Sequence, residues 1–455
     1  MNYLIPQYMQ QFDINNINIE YYEDNHVDNH ETYINKTFFM YLKKLKHIIH
    51  KKQDLWNTYK IYMNSYEYIH TSYYGKLYIS RLIPVSRSFY KLVELNHIYH
   101  FLDNIHGKKY DKIRSLHIAE GPGGFIQSMK YLRKKQKSYY NGKIDITQDL
   151  HIGMTLISND TSVPTWNKLK DIYDNDKTIC LDNGPNDNGD LFDIKNFEYM
   201  YKKYGSSMNV ITADGGFDFS KNYDNQEQNM LKLLYLQMLY ALICQKKHGD
   251  FIMKIFDISN YATCEIIYIL NSFYKKIYIT KPVTSRPGNS EKYIVCKNFK
   301  QINNINSYYK YFHKCIREIT SGKSNKLYIK RLLKTELPLL FVKTLENINS
   351  IIGQHQIENI NATLILIDND IKVNDNLLQI KKNNIYKCIQ WCKIYDIPTY
   401  PLHKIKIPNV KIIHDHHYQY NSQKNKNKNE NNESNKDTES NKDNEINIEV
   451  NTNIL

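Results

Sequence analysis

Between residues 76 and 304 the chain alternates short β-rich runs with segments of helical spacing, and this alternation narrows the fold more than any other feature. The pairs are Ile113–Ala119 with Gly124–Arg133, Asn209–Ala213 with Asn229–Cys244, and Asp250–Phe256 with Tyr261–Phe273. Further β-rich runs lie at Gly153–Ser158, Lys276–Thr280 and Lys292–Cys296. Strand, crossover helix and parallel strand in repetition predict an α/β, doubly wound, Rossmann-like sheet. In such a sheet the ligand lies beyond the carboxyl ends of the strands. The glycine-rich stretch Ala119-Glu120-Gly121-Pro122-Gly123-Gly124-Phe125 follows the first strand and falls at that end. So does Asp214, in Thr212-Ala213-Asp214-Gly215-Gly216-Phe217.

The flanks read differently. Residues 1–75 are polar and tyrosine-rich, with apolar residues at helical spacing from Phe38 to Tyr62, which predicts a helical N-terminal extension. Residues 305–418 carry a strand-like run at Thr363–Ile367 and a helical piece around Ile385–Tyr395, which predicts a C-terminal accessory domain. Residues 419–455 are dominated by Asn, Lys, Glu, Ser and Asp. Such a tail buries too little apolar surface to offset its ordering entropy and is expected to be disordered.

The 455 residues suffice for one large core and a smaller domain. A formal charge of +14 suits a polyanionic partner. However, an A/T-rich coding bias produces the same abundance of Lys, Asn, Ile and Tyr, so charge alone leaves nucleic-acid binding open. The seven cysteines are odd in number and scattered, which argues against a disulfide framework and for a reducing compartment. Cys388 and Cys392 lie one helical turn apart, ahead of His414, His416 and His417, but this spacing fits no familiar zinc pattern. Buried cysteine and surface histidine are expected there, with no metal. The N-terminus lacks the basic start and apolar core of a signal peptide, and no apolar run approaches the roughly 18 residues that span a bilayer. A soluble intracellular protein is expected.

In the loop, Gly121, Gly123 and Gly124 permit close backbone approach and dihedrals closed to residues with a Cβ. The helix that follows favours an anionic group at its N-terminus. Dinucleotide enzymes share such loops. Yet Ile157-Ser158-Asn159-Asp160 offers only Asp160 as an acid closing the second strand, which weighs against a nicotinamide dehydrogenase.

These segments, with Gly153-Met154-Thr155-Leu156, Gly189-Asp190-Leu191 and Lys281-Pro282-Val283-Thr284-Ser285-Arg286-Pro287-Gly288-Asn289-Ser290-Glu291-Lys292-Tyr293, stand in the order found in one family. The chain resembles FtsJ-like (RrmJ-type) methyltransferases over roughly residues 80–300. The last two segments are similar to those of eukaryotic enzymes that methylate the 2′-oxygen of the first transcribed nucleotide of capped messenger RNA. In outline the chain also resembles FtsJ-like proteins of large cytoplasmic DNA viruses, which implies a host cytoplasm or virion location.

The resemblance implies S-adenosyl-L-methionine as cofactor, RNA as partner (capped mRNA above all, alongside other capping enzymes) and a Lys-Asp-Lys-Glu tetrad. The matching positions are Lys91, Asp214, Lys254 and Glu291. Glu120, Gly121, Pro122, Gly123, Gly124 and Phe125 match the cofactor loop, and Asp190 and Leu191 match the adenine side. Arg87, Ser285 and Arg286 are candidates for contact with RNA. A ribose hydroxyl attacks a sulfonium methyl only when its proton is taken up and it is held in line. A lysine serves as that base in its neutral form, which burial and a second cation favour. Asp214 and Glu291 would orient the amines and balance their charge. Two other readings stay open: ribosomal or transfer RNA as substrate, and a catalytically silent RNA-binding subunit.

Overall fold

The computed structural model describes residues 1–401 except 9–11, 24–31, 71–77, 104–105, 161–162, 174, 217–225, 303, 322–326 and 370–373. The expected tail at 419–455, the accessory domain beyond 401, the cluster at His414, His416 and His417, and Phe217 lie outside the described residues.

The strands are β1 (Asn2–Ile5), β2 (Ile17–Glu23), β3 (Arg114–Ile118), β4 (Leu150–Met154), β5 (Ile179–Leu181), β6 (Met208–Ala213), β7 (Gln245–Ile255), β8 (Tyr274–Thr280), β9 (Lys292–Phe299) and β10 (Leu327–Leu333). The helices are α1 (Lys36–Lys51), α2 (Gln53–Tyr59), α3 (Ser88–Tyr99), α4 (Gly124–Tyr139), α5 (Asn167–Tyr173), α6 (Ile194–Tyr204), α7 (Gln226–Cys244), α8 (Tyr261–Phe273), α9 (Ile305–Thr320), α10 (Leu339–Asp368) and α11 (Asn374–Ile394).

Eight strands form one sheet in the order β5-β4-β3-β6-β7-β9-β8-β1. From β5 to β7 neighbouring strands are parallel, whereas β9, β8 and β1 each pair antiparallel. The parallel strands are buried on both faces because helices cover them: Leu116, Ile118, Ile152, Val210, Ile211, Phe251 and Ile252 are fully buried, and the equally buried Ser115, His117, His151 and Thr212 hydrogen-bond among themselves. This is the doubly wound α/β sheet the alternation predicted. The chain winds outward through β3, β4 and β5, then crosses back to place β6 on the other side of β3. The order therefore reverses between β3 and β6, and a crevice opens beyond their carboxyl ends. Ile118 lies opposite Ala213, so both strands end level at that crevice.

Helix α7 is buried almost all round, as expected of a helix apolar on every side. It packs on β6 and β7 and is covered by α6, α8, α9 and β10. Helix α4 is fixed by a buried ion pair in which Arg133 Nε and Nη2 donate to both carboxylate oxygens of Asp149 at 2.8 and 2.9 Å. Asp149 Oδ1 also accepts from Ile113 N–H, at the start of β3. The helix that opens at the glycine loop is thus locked to the foot of its strand.

The flanking segments complete the fold. The helices expected from Phe38 to Tyr62 are α1 and α2, but residues 1–75 also supply two strands. β1 closes the sheet edge on β8, and β2 pairs with β10. Helix α11, expected near Ile385–Tyr395, buries Cys388, Trp391 and Cys392 against Phe89, Tyr90 and Val93 of α3. Thr363–Ile367, expected as strand-like, instead forms the last turns of α10. A short β-branched run cannot be told from a buried helix by its own periodicity. Over the longer span, Ile352, Ile360, Leu364 and Ile367 recur at helical spacing and are buried. Among the described residues no helix is long and apolar enough to cross a membrane.

Candidate active site

The glycine loop leaves β3 through Ala119, whose φ is 52°, and enters α4 through Gly123, whose φ is 102°. Its glycines serve the protein's own packing as much as any ligand. A Cβ at Gly124 would lie 2.1 Å from Ser88 Oγ, and one at Gly121 would lie 2.4 Å from the Pro164 carbonyl oxygen. At Gly123 the left-handed backbone excludes side chains by itself. The expected free helix N-terminus is also partly occupied. Phe125 N–H donates to Glu120 Oε1 at 2.5 Å, so the chain supplies its own acceptor there. The other oxygen, Glu120 Oε2, is buried with no hydrogen-bond partner. Burial pushes the Glu120 carboxyl well above the usual carboxylate range, with the Asp214 charge adding to the shift and the Phe125 amide opposing it.

Asp214 follows β6 directly. Its turn is held by Gln237, whose Oε1 accepts from Gly215 N–H at 3.2 Å. A Cβ at Gly215 would lie 3.0 Å from that of Ala119, so this turn abuts the glycine loop. On β7, Lys254 Nζ donates to the Asp214 carbonyl oxygen at 2.6 Å and lies 3.4 Å from its Oδ1. From β9, Tyr293 O–H donates to the same Oδ1 at 3.0 Å. Lys91, on α3, lies 2.7 Å from Glu291 Oε1 and donates to Oε2 at 2.9 Å. Burial opposes the Glu291 charge, yet Lys91 and Lys254 hold its carboxyl down at about 2. The four charged side chains are each between 11% and 14% exposed, so the cluster is shielded yet reachable. Two lysines thus face two carboxylates.

The candidate RNA contacts take other positions. Ser285 is buried and its hydroxyl donates to Glu291 Oε1 at 2.9 Å, which orients that carboxylate. Arg87 is turned inward, donating to the carbonyls of Tyr66, Glu67 and His70. Arg286 forms a two-pronged pair with the buried Glu67 at 3.1 and 3.2 Å. Burial opposes the Glu67 charge, but Arg87 and Arg286 hold it below its usual range. On the adenine side, Asp190 Oδ1 accepts from Phe192 N–H and Leu191 is buried in the core.

Several supporting residues escaped the sequence reading. Glu94 of α3 accepts from the amides of Val283 and Thr284, anchoring the loop before Glu291. Lys281 Nζ closes that loop by donating to the carbonyls of Asn289 and Glu291. Burial lowers Lys281 to about 7, with Glu291 opposing the shift. Lys281 and Tyr293 begin and end a motif already singled out and Glu67 lies between two tyrosines, but no local pattern distinguishes a residue that orients a charged group from one that faces water.

Residues 84–299 match the FtsJ-like methyltransferase family. The matched segment runs from just before α3 to the end of β9 and contains Lys91, Glu120, Asp214, Lys254 and Glu291. The chain is 28% identical over 196 residues to the mouse (Mus musculus) protein named cap-specific mRNA (nucleoside-2'-O-)-methyltransferase 2, covering 42% of this chain and 24% of that one. It is 30% identical over 216 residues to the Caenorhabditis elegans protein named cap-specific mRNA (nucleoside-2'-O-)-methyltransferase 1, covering 46% and 22%. To "Probable methyltransferase EP424R" of African swine fever virus (strain Badajoz 1971 Vero-adapted) it is 28% identical over 247 residues, covering 49% and 55%. The chain thus spans about a quarter of the cap-methyltransferase relatives and about half of the viral one. The FtsJ-like segment holds the cluster, while α1, α2, α10 and α11 lie outside it.

Proposed function

We propose that this chain is an S-adenosylmethionine-dependent RNA 2′-O-ribose methyltransferase acting on the cap-proximal ribose of messenger RNA. The observation that carries the reading is the convergence of Lys254, Asp214, Lys91 and Glu291 next to the β3 loop, within the family-matched segment. The names of the mouse and nematode relatives support the capped substrate.

The residues present fit the cofactor. Glu120 Oε2 is a buried acceptor without a partner, suited to an ammonium group. When bound, the sulfonium supplies an electrophilic methyl group. Lys254 Nζ, in its neutral form, takes the proton of the 2′-hydroxyl as that oxygen becomes a nucleophile. Asp214 fixes the Lys254 amine through its carbonyl and carboxylate oxygens, while Tyr293 fixes Asp214. Glu291, held by Lys91 and Ser285, balances the charge that appears on Lys254 when it is protonated. Holding two reactants in line is worth about 7–11 kcal/mol, so this scaffold contributes through geometry as well as basicity.

Incubating the full chain with radiolabelled S-adenosylmethionine and either capped or uncapped transcript tests the reading. Label on the first transcribed ribose of the capped RNA is expected. Equal transfer to uncapped RNA would redirect the proposal to ribosomal or transfer RNA.

A second expectation concerns Glu120. A cationic ligand at Oε2 favours the ionised carboxylate, so cofactor affinity should fall as pH drops through the raised Glu120 range. Glu120→Gln should weaken cofactor binding about tenfold near neutral pH, the loss of one charge-assisted hydrogen bond, and flatten its pH dependence. Calorimetry across pH reads both effects, and a Glu120→Gln protein with unchanged affinity would exclude the contact.

A further inference from the structure

We propose that a cavity beside the cluster seats the neutral base of the nucleotide whose ribose is methylated, with that nucleotide's phosphate at Lys60; this rests on the reading above. The cavity, of about 250 Å³, lies between α1, α2, α10 and the 286–290 loop. Pockets for drug-sized ligands measure roughly 300–1,000 Å³, so this smaller space suits a single heterocycle.

Its lining fits a base. Trp56 of α2 and Phe256, just past β7, offer aromatic surface, on which bases stack. Asn64, Gln356 and Asn359 add amides able to meet a heterocycle's polar edge. The location ties it to the chemistry. Lys254 Nζ is 5.8 Å from the Phe256 ring centre, and Ser290 of the lining directly precedes Glu291. Gly288 keeps the space open: a Cβ there would lie 2.9 Å from Asn359 Oδ1 and 3.8 Å from the Trp56 ring.

Charge selects the kind of base. Lys46, Lys60 and Arg286 line the cavity and, among the described residues, no Asp or Glu does. Lys46 pairs with Asp257 and Arg286 with Glu67, whereas Lys60 donates to the neutral side-chain oxygen of Asn57. Burial lowers Lys60, with Arg286 adding to the shift and Glu67 opposing it, so a phosphate that favours its charged form suits this place, and the lining gives a positively charged 7-methylguanine no carboxylate to meet. The site therefore fits an unmethylated base of the transcript rather than the cap guanine.

Tryptophan fluorescence of the full chain tests this. Of the three tryptophans, Trp166 and Trp391 are each 2% exposed, so Trp56 is the one a ligand can reach. Guanosine and adenosine 5′-monophosphates are expected to quench saturably, and 7-methylguanosine 5′-monophosphate to bind more weakly. Trp56→Phe should abolish the quenching while calorimetry still detects binding. Lys60→Met, which keeps the aliphatic stem, should weaken monophosphate binding about tenfold. Gly288→Val should raise KM for transcript while leaving the cofactor Kd as in the wild type. The proposal is overturned if a protein active on transcript shows no quenching, or if the 7-methyl nucleotide binds more tightly. Saturable quenching by a protein that methylates no transcript would instead keep the base site and remove the methyl-transfer reading.

Discussion

Lys254→Ala should lower the methyl-transfer rate at saturating transcript by about 10²–10⁴-fold, the range attributed to a positioned general base. The side chain is only 13% exposed and its amine is held by two oxygens of Asp214, while the other lysine of the cluster, Lys91, is held by Glu291. Lys254→Arg should be as damaging, because a guanidinium stays charged and accepts no proton. Cofactor affinity should change little in either variant, since the loop and Glu120 are carried by β3 and α4 instead of β7. Single-turnover transfer of a labelled methyl group, with calorimetry for the cofactor, separates the two quantities. Activity within tenfold of wild type in Lys254→Ala would remove Lys254 as the base.

The second large effect is on stability. Asp149→Ala should cost about 3–5 kcal/mol of unfolding free energy, because it strands the Arg133 guanidinium in the interior without its counter-charge. Both side chains are 1% exposed, and the pair is two-pronged. The variant also deprives Ile113 N–H of its acceptor at the foot of β3. Arg133 would keep its bonds to the Tyr110 and Asp111 carbonyls and to Gln136, which limits but does not cancel the loss. Denaturant titration should show a lower midpoint with an unchanged slope. A change below about 1 kcal/mol, the size expected of an exposed pair, would mean water reaches Arg133 in solution.

Much of the fold was legible because its causes are local. Parallel strands buried on both faces favour apolar residues, and Leu116, Ile152, Val210 and Phe251 announce themselves that way, while the buried Ser115, His117, His151 and Thr212 satisfy one another by hydrogen bonds. The failures are instructive. Thr363–Ile367 carries β-branched residues, yet its place in the 30-residue α10 follows from a face seen only over several turns. β1 is four residues long and has a sheet partner only because β8, nearly three hundred residues away, presents an unpaired edge.

The candidate site divides in the same manner. Asp214, Lys254 and Glu291 could be singled out because they sit in distinctive segments. The partnerships could not. Arg87 and Arg286 looked like exposed forks for RNA, but both converge on Glu67, more than two hundred residues from Arg286 and buried by the fold. Ser285 similarly turns its hydroxyl to Glu291.

By itself, the order of residues determined the alternation of strands and helices, the place of the glycine loop and Asp214 at the carboxyl ends of the strands, and the charged residue types brought there. Those features depend on periodicity and on motifs a few residues long. Only the tertiary structure decided that Lys91 pairs with Glu291 across two hundred residues, that Glu120 caps its own helix with one oxygen and leaves the other buried and unpartnered, and that α1, α2 and α10 enclose a cavity beside Lys254. Charge pairing and enclosed volume arise from groups far apart along the chain, and no short window of sequence contains both partners.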